Sequence, residues 1–253
     1  MHRFHCPHLI SPVPPDCSQP GPVELSDPLI VLDPEESHHA ARVLRLEAGE
    51  KVGLFNGQGL KVEGVIQNAS KTQMVVKAES ATWEPAAKPE IWVAAAVAKG
   101  SRPDDMVDQL SQVNATGWIP LITRRSVVDP RASKVEKLRK VAIASAKQCS
   151  RAHLMQITDP RPFSDVLSDA ADVRLLANAD GQPYPGISLG RTMADAKKVI
   201  LFIGPEGGWT DEEIQQATTA GCSLWKLGEA IMRVETAAVV AASVARYLVK
   251  MNS

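Results

Sequence analysis

Short apolar runs alternate with amphipathic helical patterns along the second part of the chain. The runs have the length of buried strands and lie at residues 91–98, 118–122, 154–157, 173–177 and 198–203. Between them, apolar residues recur at helical spacing at residues 103–116, 134–150 and 162–169. Such an alternation predicts a parallel sheet that helices cover on both faces.

The first part of the chain has apolar residues with a period of two, which is typical of β-strands. These runs lie at residues 51–55, 61–66 and 74–78. Asn56-Gly57 predicts a hairpin turn, and Asp33-Pro34 predicts the start of a short helix at 35–44. We therefore predict a small β-barrel with one helix at residues 1–83, a proline-containing linker at 84–90 and an α/β domain at 91–253.

Two glycine-containing loops stand near the C-terminus, each after an apolar run and before a helix. The first reads GPEGG from Gly204, and Thr210 with Glu213 predicts a capping box where its helix begins. The second follows the run at 223–227 and precedes a helix at 234–249. Neither has the spacing of a P-loop or of a dinucleotide fingerprint. Both lie where open α/β sheets bind ligands, beyond strand ends.

Composition narrows the class of protein. The chain has 253 residues, enough for two domains, with 44% hydrophobic and 23% charged residues, as in ordinary globular proteins. No apolar run approaches the roughly 20 residues of a membrane span, and no signal peptide is evident at the start. The four cysteines are scattered without a CxxC pair, and the N-terminal histidines fit no zinc-ligand spacing. We expect a cytoplasmic protein with reduced thiols, no membrane contact and no metal.

The net charge of −1 argues against a uniformly basic surface for nucleic acid, but the charge is unevenly distributed. Residues 124–151 contain nine Lys or Arg and two Asp or Glu. Such a local excess can neutralise several phosphates. A solvated helix face explains it equally well.

The segments GPEGGWTDEE (204–213) and LGEAIMRVETA (227–237) closely resemble the cofactor motifs of the SPOUT superfamily, knotted methyltransferases that use S-adenosylmethionine. Within that superfamily the chain is most similar to RsmE-type enzymes, which methylate N3 of a uridine in small-subunit ribosomal RNA. The resemblance implies a C-terminal SPOUT α/β knot preceded by a PUA-like β-barrel that binds RNA. It also implies S-adenosyl-L-methionine as cofactor and S-adenosyl-L-homocysteine as product.

The resemblance also assigns residues to the cofactor and to the chemistry. Fourteen cofactor positions follow from matching the motifs and the strand before them: Leu176, Ala177, Ile203, Gly204, Pro205, Glu206, Gly207, Gly208, Leu227, Gly228, Ile231, Met232, Thr236 and Ala237. Met232 stands where the family usually has Leu, a substitution that conserves volume. Arg233 is the catalytic candidate for stabilising the uracil anion, and Glu235 for accepting a proton or orienting Arg233. A carboxylate in a helix first turn is the structural alternative for Glu235.

RNA-binding candidates come from four further places that match the family. They are Arg3 at the start, the segment HHAARVLRL at 38–46, TRRS at 123–126 and AKQCSR at 146–151. The residues matched are Arg3, His38, Arg42, Arg45, Arg125, Gln148 and Arg151. Ion pairs with nearby glutamates, or a basic helix surface, are the structural alternatives for these side chains.

As partner, the resemblance implies 16S ribosomal RNA or the small ribosomal subunit, with a target uridine in the decoding-region helix 44. A homodimer is expected because the C-terminal helix is apolar on more faces than one domain would bury. Two other functions remain open. One is an RNA-binding protein of the same fold without catalysis, since residues 101–117 depart from the family pattern. The other is a SPOUT enzyme that acts on another base or on a ribose 2′-OH.

Overall fold

The chain forms two compact units in the computed structural model, which describes residues 1–13, 18–70, 73–97, 100, 102–127, 132–183 and 186–252. The first unit is Met1–Ala86 with Ala146–Leu154, and the second is Ala87–Ser145 with Met155–Ser253. The first change of unit falls within the linker expected at residues 84–90. Nothing in the sequence indicates that Ala146–Leu154 groups with the first unit.

A mostly antiparallel sheet forms the first unit. Its strands are β1 (His2–His5), β2 (Gly21–Pro22), β3 (Leu29–Val31), β4 (Lys51–Phe55), β5 (Leu60–Ala69) and β6 (Met74–Trp83). Their order is β1-β4-β5-β6-β2, and β3 also pairs with β6. β1 is parallel to β4, whereas the other pairs are antiparallel. The fully buried side chains of this unit include Phe4, Leu54, Leu60, Ile66 and Met74.

The turn between β4 and β5 is the hairpin that Asn56-Gly57 predicts. The Asn56 carboxamide accepts hydrogen bonds from the backbone N–H groups of Gln58 and Leu60, and Gly57 has φ of 78°. The segment Ala146–Leu154 packs on this turn, because Leu154 N–H donates to the Gly57 carbonyl at 2.9 Å. The same turn therefore organises both parts of the first unit.

The predicted helix at 35–44 begins as expected but changes type. α1 (Pro34–His38) follows Asp33, whose carboxylate accepts from Glu36 N–H. The chain then continues as a π-helical turn, His39–Val43, and Arg45 adopts a left-handed conformation with φ of 55°. Arg45 therefore lies just beyond these helical turns, consistent with the predicted end of the helix at residue 44.

The second unit contains a parallel sheet, as predicted. Its strands are β7 (Glu90–Ala96), β8 (Gly117–Ile122), β9 (Gln156–Ile157), β10 (Arg161–Pro162), β11 (Val173–Pro183), β12 (Lys198–Ile203) and β13 (Ser223–Lys226). Their order is β10-β8-β7-β12-β11-β13, with β9 also on β8. Every pairing in this sheet is parallel.

Helices cover both faces of that sheet. They are α2 (Arg102–Gln112), α3 (Ala132–Cys149), α4 (Phe163–Leu167), α5 (Gly186–Ala194), α6 (Asp211–Thr219) and α7 (Val234–Asn252). Alternate residues of β7 face opposite sides. Ile91, Val93 and Ala95 belong to the apolar cluster that includes residues of α2, α3, α5 and α7, whereas Trp92 and Ala94 belong to the cluster with residues of α4 and α6.

Some element ends differ from the sequence prediction. α2 ends at Gln112 rather than at residue 116, because Asn114 takes the left-handed conformation (φ 61°) that terminates helices. The strand predicted at 91–98 ends at Ala96, and residue 98 lies outside the described residues. α5 was not predicted. None of the described helices combines the length and hydropathy that a membrane span requires.

Candidate active site

Three predicted cofactor segments lie side by side at one edge of the parallel sheet. β11 pairs with β12 on one side and with β13 on the other, with Leu176 opposite Phe202 and Ala177 opposite Trp225. Residues 204–209 (loop 1) follow β12, and residues 227–233 (loop 2) follow β13. The carboxyl ends of parallel strands share one edge, so Leu176 and Ala177 lie between the two loops, at the place where α/β sheets bind ligands.

Loop 1 is a tight turn that exposes backbone groups. Gly208 N–H donates to the Pro205 carbonyl at 2.8 Å, and Gly208 has φ of 70°, which favours glycine. Pro205 and Ile203 are buried, whereas residues 206–208 are exposed. A Cβ at Gly208 would meet nothing within 4 Å. Gly208 therefore leaves open space beside the backbone, as a bound adenosyl group needs.

Trp209 attaches loop 1 to the strand between the loops. Its indole Nε1 donates to the Ala177 carbonyl at 2.9 Å, and its ring packs on Phe163 with 4.8 Å between ring centroids. The ring also lies against Gly204, where an added Cβ would be 2.9 Å from Trp209 Cε2. The indole thus fixes the distance between loop 1 and β11.

The loop after β8 holds loop 1 from the other side. Arg125 Nη1 donates to the carbonyls of Gly207 at 2.9 Å and Trp209 at 3.2 Å. Arg124 N–H donates to the buried carboxylate of Glu213, which completes the predicted capping box with Thr210. Arg125 therefore shapes loop 1, and its contact with RNA stays a prediction.

Loop 2 combines anchored and exposed residues. Leu227 and Met232 are half-buried and pack on the apolar core of the second unit. Met232 Cε lies 3.1 Å from the position that a Cβ at Gly228 would take, so the methionine folds over the glycine. Ile231 is 96% exposed. At the start of α7, Ala237 is buried and Thr236 is exposed.

The two catalytic candidates differ in environment. Arg233 is exposed, and its side chain has no hydrogen bond or ion pair within the described part of the chain. Glu235 is half-buried, and its Oε1 lies 3.8 Å from Nε of Arg102. Glu235 Oε2 is buried and lacks a hydrogen-bond partner among the described residues. Glu235 therefore neither caps its helix with that oxygen nor pairs with Arg233.

The RNA-binding candidates, apart from Arg125, all lie in the first unit. The segment Ala146–Leu154 brings Gln148 and Arg151 into the unit that contains Arg3, His38, Arg42 and Arg45. His38, Arg42, Arg45 and Gln148 are exposed. Arg3 lies over the Phe55 ring, 5.1 Å from its centroid, and burial lowers the pKa of Arg3 and of Arg151. Four of these side chains are thus exposed and two are half-buried, and contact of all six with RNA stays a prediction.

Family comparison agrees with this arrangement. A model described as "RNA methyltransferase domain" matches residues 85–246, and one described as "RNA methyltransferase PUA domain" matches residues 32–79. The chain belongs to the RNA methyltransferase family. Within the described residues, no group of three or more His, Cys, Asp or Glu is placed to hold a metal ion.

Individual members of the RNA methyltransferase family are similar to this chain over most of its length. "Ribosomal RNA small subunit methyltransferase E" of Synechocystis is 27% identical over 87% of this chain and 74% of its own length. The Bacillus subtilis protein of the same name is 26% identical over 87% of this chain and 90% of its own length. The resemblance to RsmE-type enzymes is thereby confirmed.

Solved structures confirm the fold class. A Legionella pneumophila protein assigned as a methyltransferase, with the cofactor SAM bound, has a TM-score of 0.77 at 30% identity, covering 89% of this chain and 95% of its own. Ribosomal RNA small subunit methyltransferase E of Neisseria gonorrhoeae, bound to S-adenosyl methionine, has a TM-score of 0.81 at 22% identity, covering 98% of both chains. The predicted cofactor is the one bound in both structures.

Two residues of the site escaped the sequence analysis. Trp209 lies inside the GPEGGWTDEE segment but is not among the residues that the resemblance assigns to the cofactor. Arg102 lies in the stretch that departs from the family pattern, so motif matching gives no signal for it.

Proposed function

We propose that this protein transfers a methyl group from S-adenosylmethionine to N3 of a uridine in 16S ribosomal RNA, in the decoding-region helix 44. One observation carries the proposal: adjacent parallel strands present Ala177, loop 1 and loop 2 at a single edge of the sheet. Twelve of the fourteen predicted cofactor residues are Ala177 or lie in loop 1, loop 2 or the first turn of α7, and the other two, Leu176 and Ile203, belong to the strands β11 and β12. The family membership and the SAM-bound Legionella relative support the same cofactor.

The residues at this edge fit the cofactor chemically. Exposed backbone at Gly207, Gly208 and Gly228 offers polar groups to adenine and ribose, apart from the Gly207 carbonyl and the Gly208 N–H, which bond within the protein. Leu227 provides apolar surface, and Met232 adapts to the shape of a ligand, whereas the Leu176 side chain is fully buried in the apolar cluster with residues of α4 and α6. When bound, S-adenosylmethionine supplies a methyl group that its sulfonium charge already activates.

The protein's own task is to place the base and to handle the N3 proton. Loss of that proton leaves negative charge on the uracil, which the Arg233 guanidinium stabilises. Glu235 accepts the proton, because its Oε2 is the buried carboxylate oxygen of the site that has no partner among the described residues. Alignment of the base then provides most of the remaining acceleration.

The first unit supplies RNA affinity. Exposed His38, Arg42 and Arg45 lie on and just beyond α1, and exposed Gln148 belongs to the same unit. Arginine pairs with phosphate and stacks on unpaired bases, so this surface suits an irregular ribosomal RNA segment.

Methyl transfer to ribosomal RNA from a strain that lacks this gene tests the function. We expect the purified protein to bind S-adenosylmethionine in calorimetry and to transfer labelled methyl groups to such RNA or to its small subunits. Mass spectrometry of the digested RNA should then place the methyl group on N3 of one uridine. Methylation of another base or of a ribose would support the alternative SPOUT activity. Absence of cofactor binding would leave an RNA-binding protein without catalysis.

We further propose that the protein is a homodimer. α7 exposes Tyr247 (63%) and Met251 (65%), and loop 2 exposes Ile231, so the second unit presents apolar side chains on its surface. Light scattering at micromolar concentration is expected to give twice the mass of one chain, and Tyr247→Lys with Met251→Lys to give the mass of one. A wild-type mass equal to one chain would refute the dimer.

A further inference from the structure

Arg102 joins the two loops of the candidate site. It is the first residue of α2, in the segment after β7, and the neighbouring strand β12 leads into loop 1. Arg102 Nη1 donates to Glu206 Oε1 in loop 1 at 2.9 Å, and its Nε lies 3.8 Å from Glu235 Oε1. Glu235 is the second residue of α7, the helix that directly follows loop 2. A single guanidinium thus connects a carboxylate of loop 1 with the carboxylate proposed to accept the proton.

Arg102 is also what orients Glu235. The Glu235 side chain is 17% exposed, and Arg102 is its ion-pair partner within the described residues. Withdrawing a carboxylate from water without a partner is costly, so the guanidinium stabilises the Glu235 side chain in this half-buried position. It contacts Oε1, which leaves Oε2 available for a proton.

The ion pairs of Arg102 with Glu206 and Glu235 contribute to function more than to the stability of the fold. The side chains of Arg102 and Glu206 are 37% and 38% exposed, and ion pairs of that exposure add little to stability. The planar fork of arginine can reach two carboxylates in a fixed geometry, which a lysine ammonium cannot reproduce. Removing Arg102 should therefore loosen the loops without unfolding the chain.

We propose that Arg102 is a positioning residue of the methyl-transfer reaction. Through Glu206 it holds loop 1 in the arrangement that binds the cofactor, and through Glu235 it fixes the proton acceptor. The inference rests on the proposed function, since it assigns a role within that site.

The test separates the effect of Arg102 on cofactor binding, through Glu206, from its effect on the reaction rate, through Glu235. Calorimetry measures the Kd for S-adenosylmethionine, and labelled methyl transfer to ribosomal RNA at saturating cofactor measures kcat. For Arg102→Met we expect a Kd about tenfold higher, as when a tenth of the molecules have competent loops. We also expect a kcat roughly 10²-fold lower, as for a misplaced catalytic group. Glu206→Gln should reproduce the change in Kd, Glu235→Gln the change in kcat, and Arg102→Lys should recover part of both.

Controls distinguish this role from a general weakening of α2. Asp104 is in the same first turn of α2 as Arg102 and forms an ion pair with Lys137 of α3. Asp104→Asn breaks this ion pair and should leave Kd and kcat unchanged. The melting temperature of Arg102→Met should fall by less than about 3 °C. The double variant Arg102→Met/Glu206→Gln should raise Kd no further than Arg102→Met alone.

Two results would overturn the inference. One is an Arg102→Met protein with wild-type Kd and kcat, and the other is full additivity of the Arg102 and Glu206 substitutions. A wild-type protein that binds no S-adenosylmethionine would instead refute the proposed function itself.

Discussion

Replacing Gly204 with alanine is expected to lower the affinity for S-adenosylmethionine by at least about tenfold, or about 1.4 kcal/mol. The added Cβ would stand 2.9 Å from Trp209 Cε2 and 3.0 Å from Nε1. The indole cannot retreat cheaply, because it donates to the Ala177 carbonyl and packs on Phe163. Either the ring gives up these contacts or loop 1 moves away from β11. Overpacking of this kind costs about 1–3 kcal/mol in unfolding free energy.

Calorimetric titration with S-adenosylmethionine and thermal unfolding measure the two effects of Gly204→Ala. Gly21→Ala is the matched control, because a Cβ at Gly21 meets nothing within 4 Å. It should leave both affinity and stability as in the wild type. If Gly204→Ala binds the cofactor as tightly as the wild type, contact between Gly204 and Trp209 does not set the shape of loop 1.

Features that depend on near neighbours in sequence could be predicted well. The capping box requires only that Thr210 and Glu213 be three residues apart, and both of its hydrogen bonds are present. The hairpin at Asn56-Gly57 likewise follows from local turn chemistry. The parallel sheet follows from the alternation of apolar runs and helical patterns, because that alternation constrains topology strongly.

Short or polar elements could not be predicted. β1 reads HRFH and owes its strand conformation to parallel pairing with β4, some fifty residues later in the chain. α5 reads GISLGRTMA, and its two glycines weaken the helical signal. In both cases packing overrides local preference, which periodicity cannot detect.

Side-chain contacts across the site could not be predicted from the sequence either. Arg102 and Glu206 are 104 positions apart, and Arg125 and Gly207 are 82 apart. Motif matching suggested RNA for Arg125 and an Arg233 partner for Glu235. The folded chain adds contacts that no motif indicates, with Arg125 on the carbonyls of loop 1 and Arg102 beside Glu235, because the ends of β7, β8 and β12 meet at one edge.

Replacing Arg233 with methionine is expected to lower kcat for ribosomal RNA methylation by roughly 10²–10³-fold, as when a group that stabilises a developing anion is removed. Arg233 is exposed and has no ion pair among the described residues. Its loss should therefore change unfolding free energy by less than about 0.5 kcal/mol. The Kd for S-adenosylmethionine should stay at the wild-type value, since its guanidinium contacts neither loop 1 nor Glu235. Arg233→Lys retains the charge and should recover part of the rate.

Steady-state methylation and calorimetry with the same preparations decide this prediction. Arg191→Met removes an exposed cation from α5 of the same unit and controls for a general loss of positive charge. An Arg233→Met enzyme with undiminished kcat would exclude Arg233 from the chemistry. A weaker Kd with unchanged kcat would instead assign it to cofactor binding. The predicted split, a lower kcat at constant Kd, arises only if the guanidinium acts on the RNA base after both partners are bound.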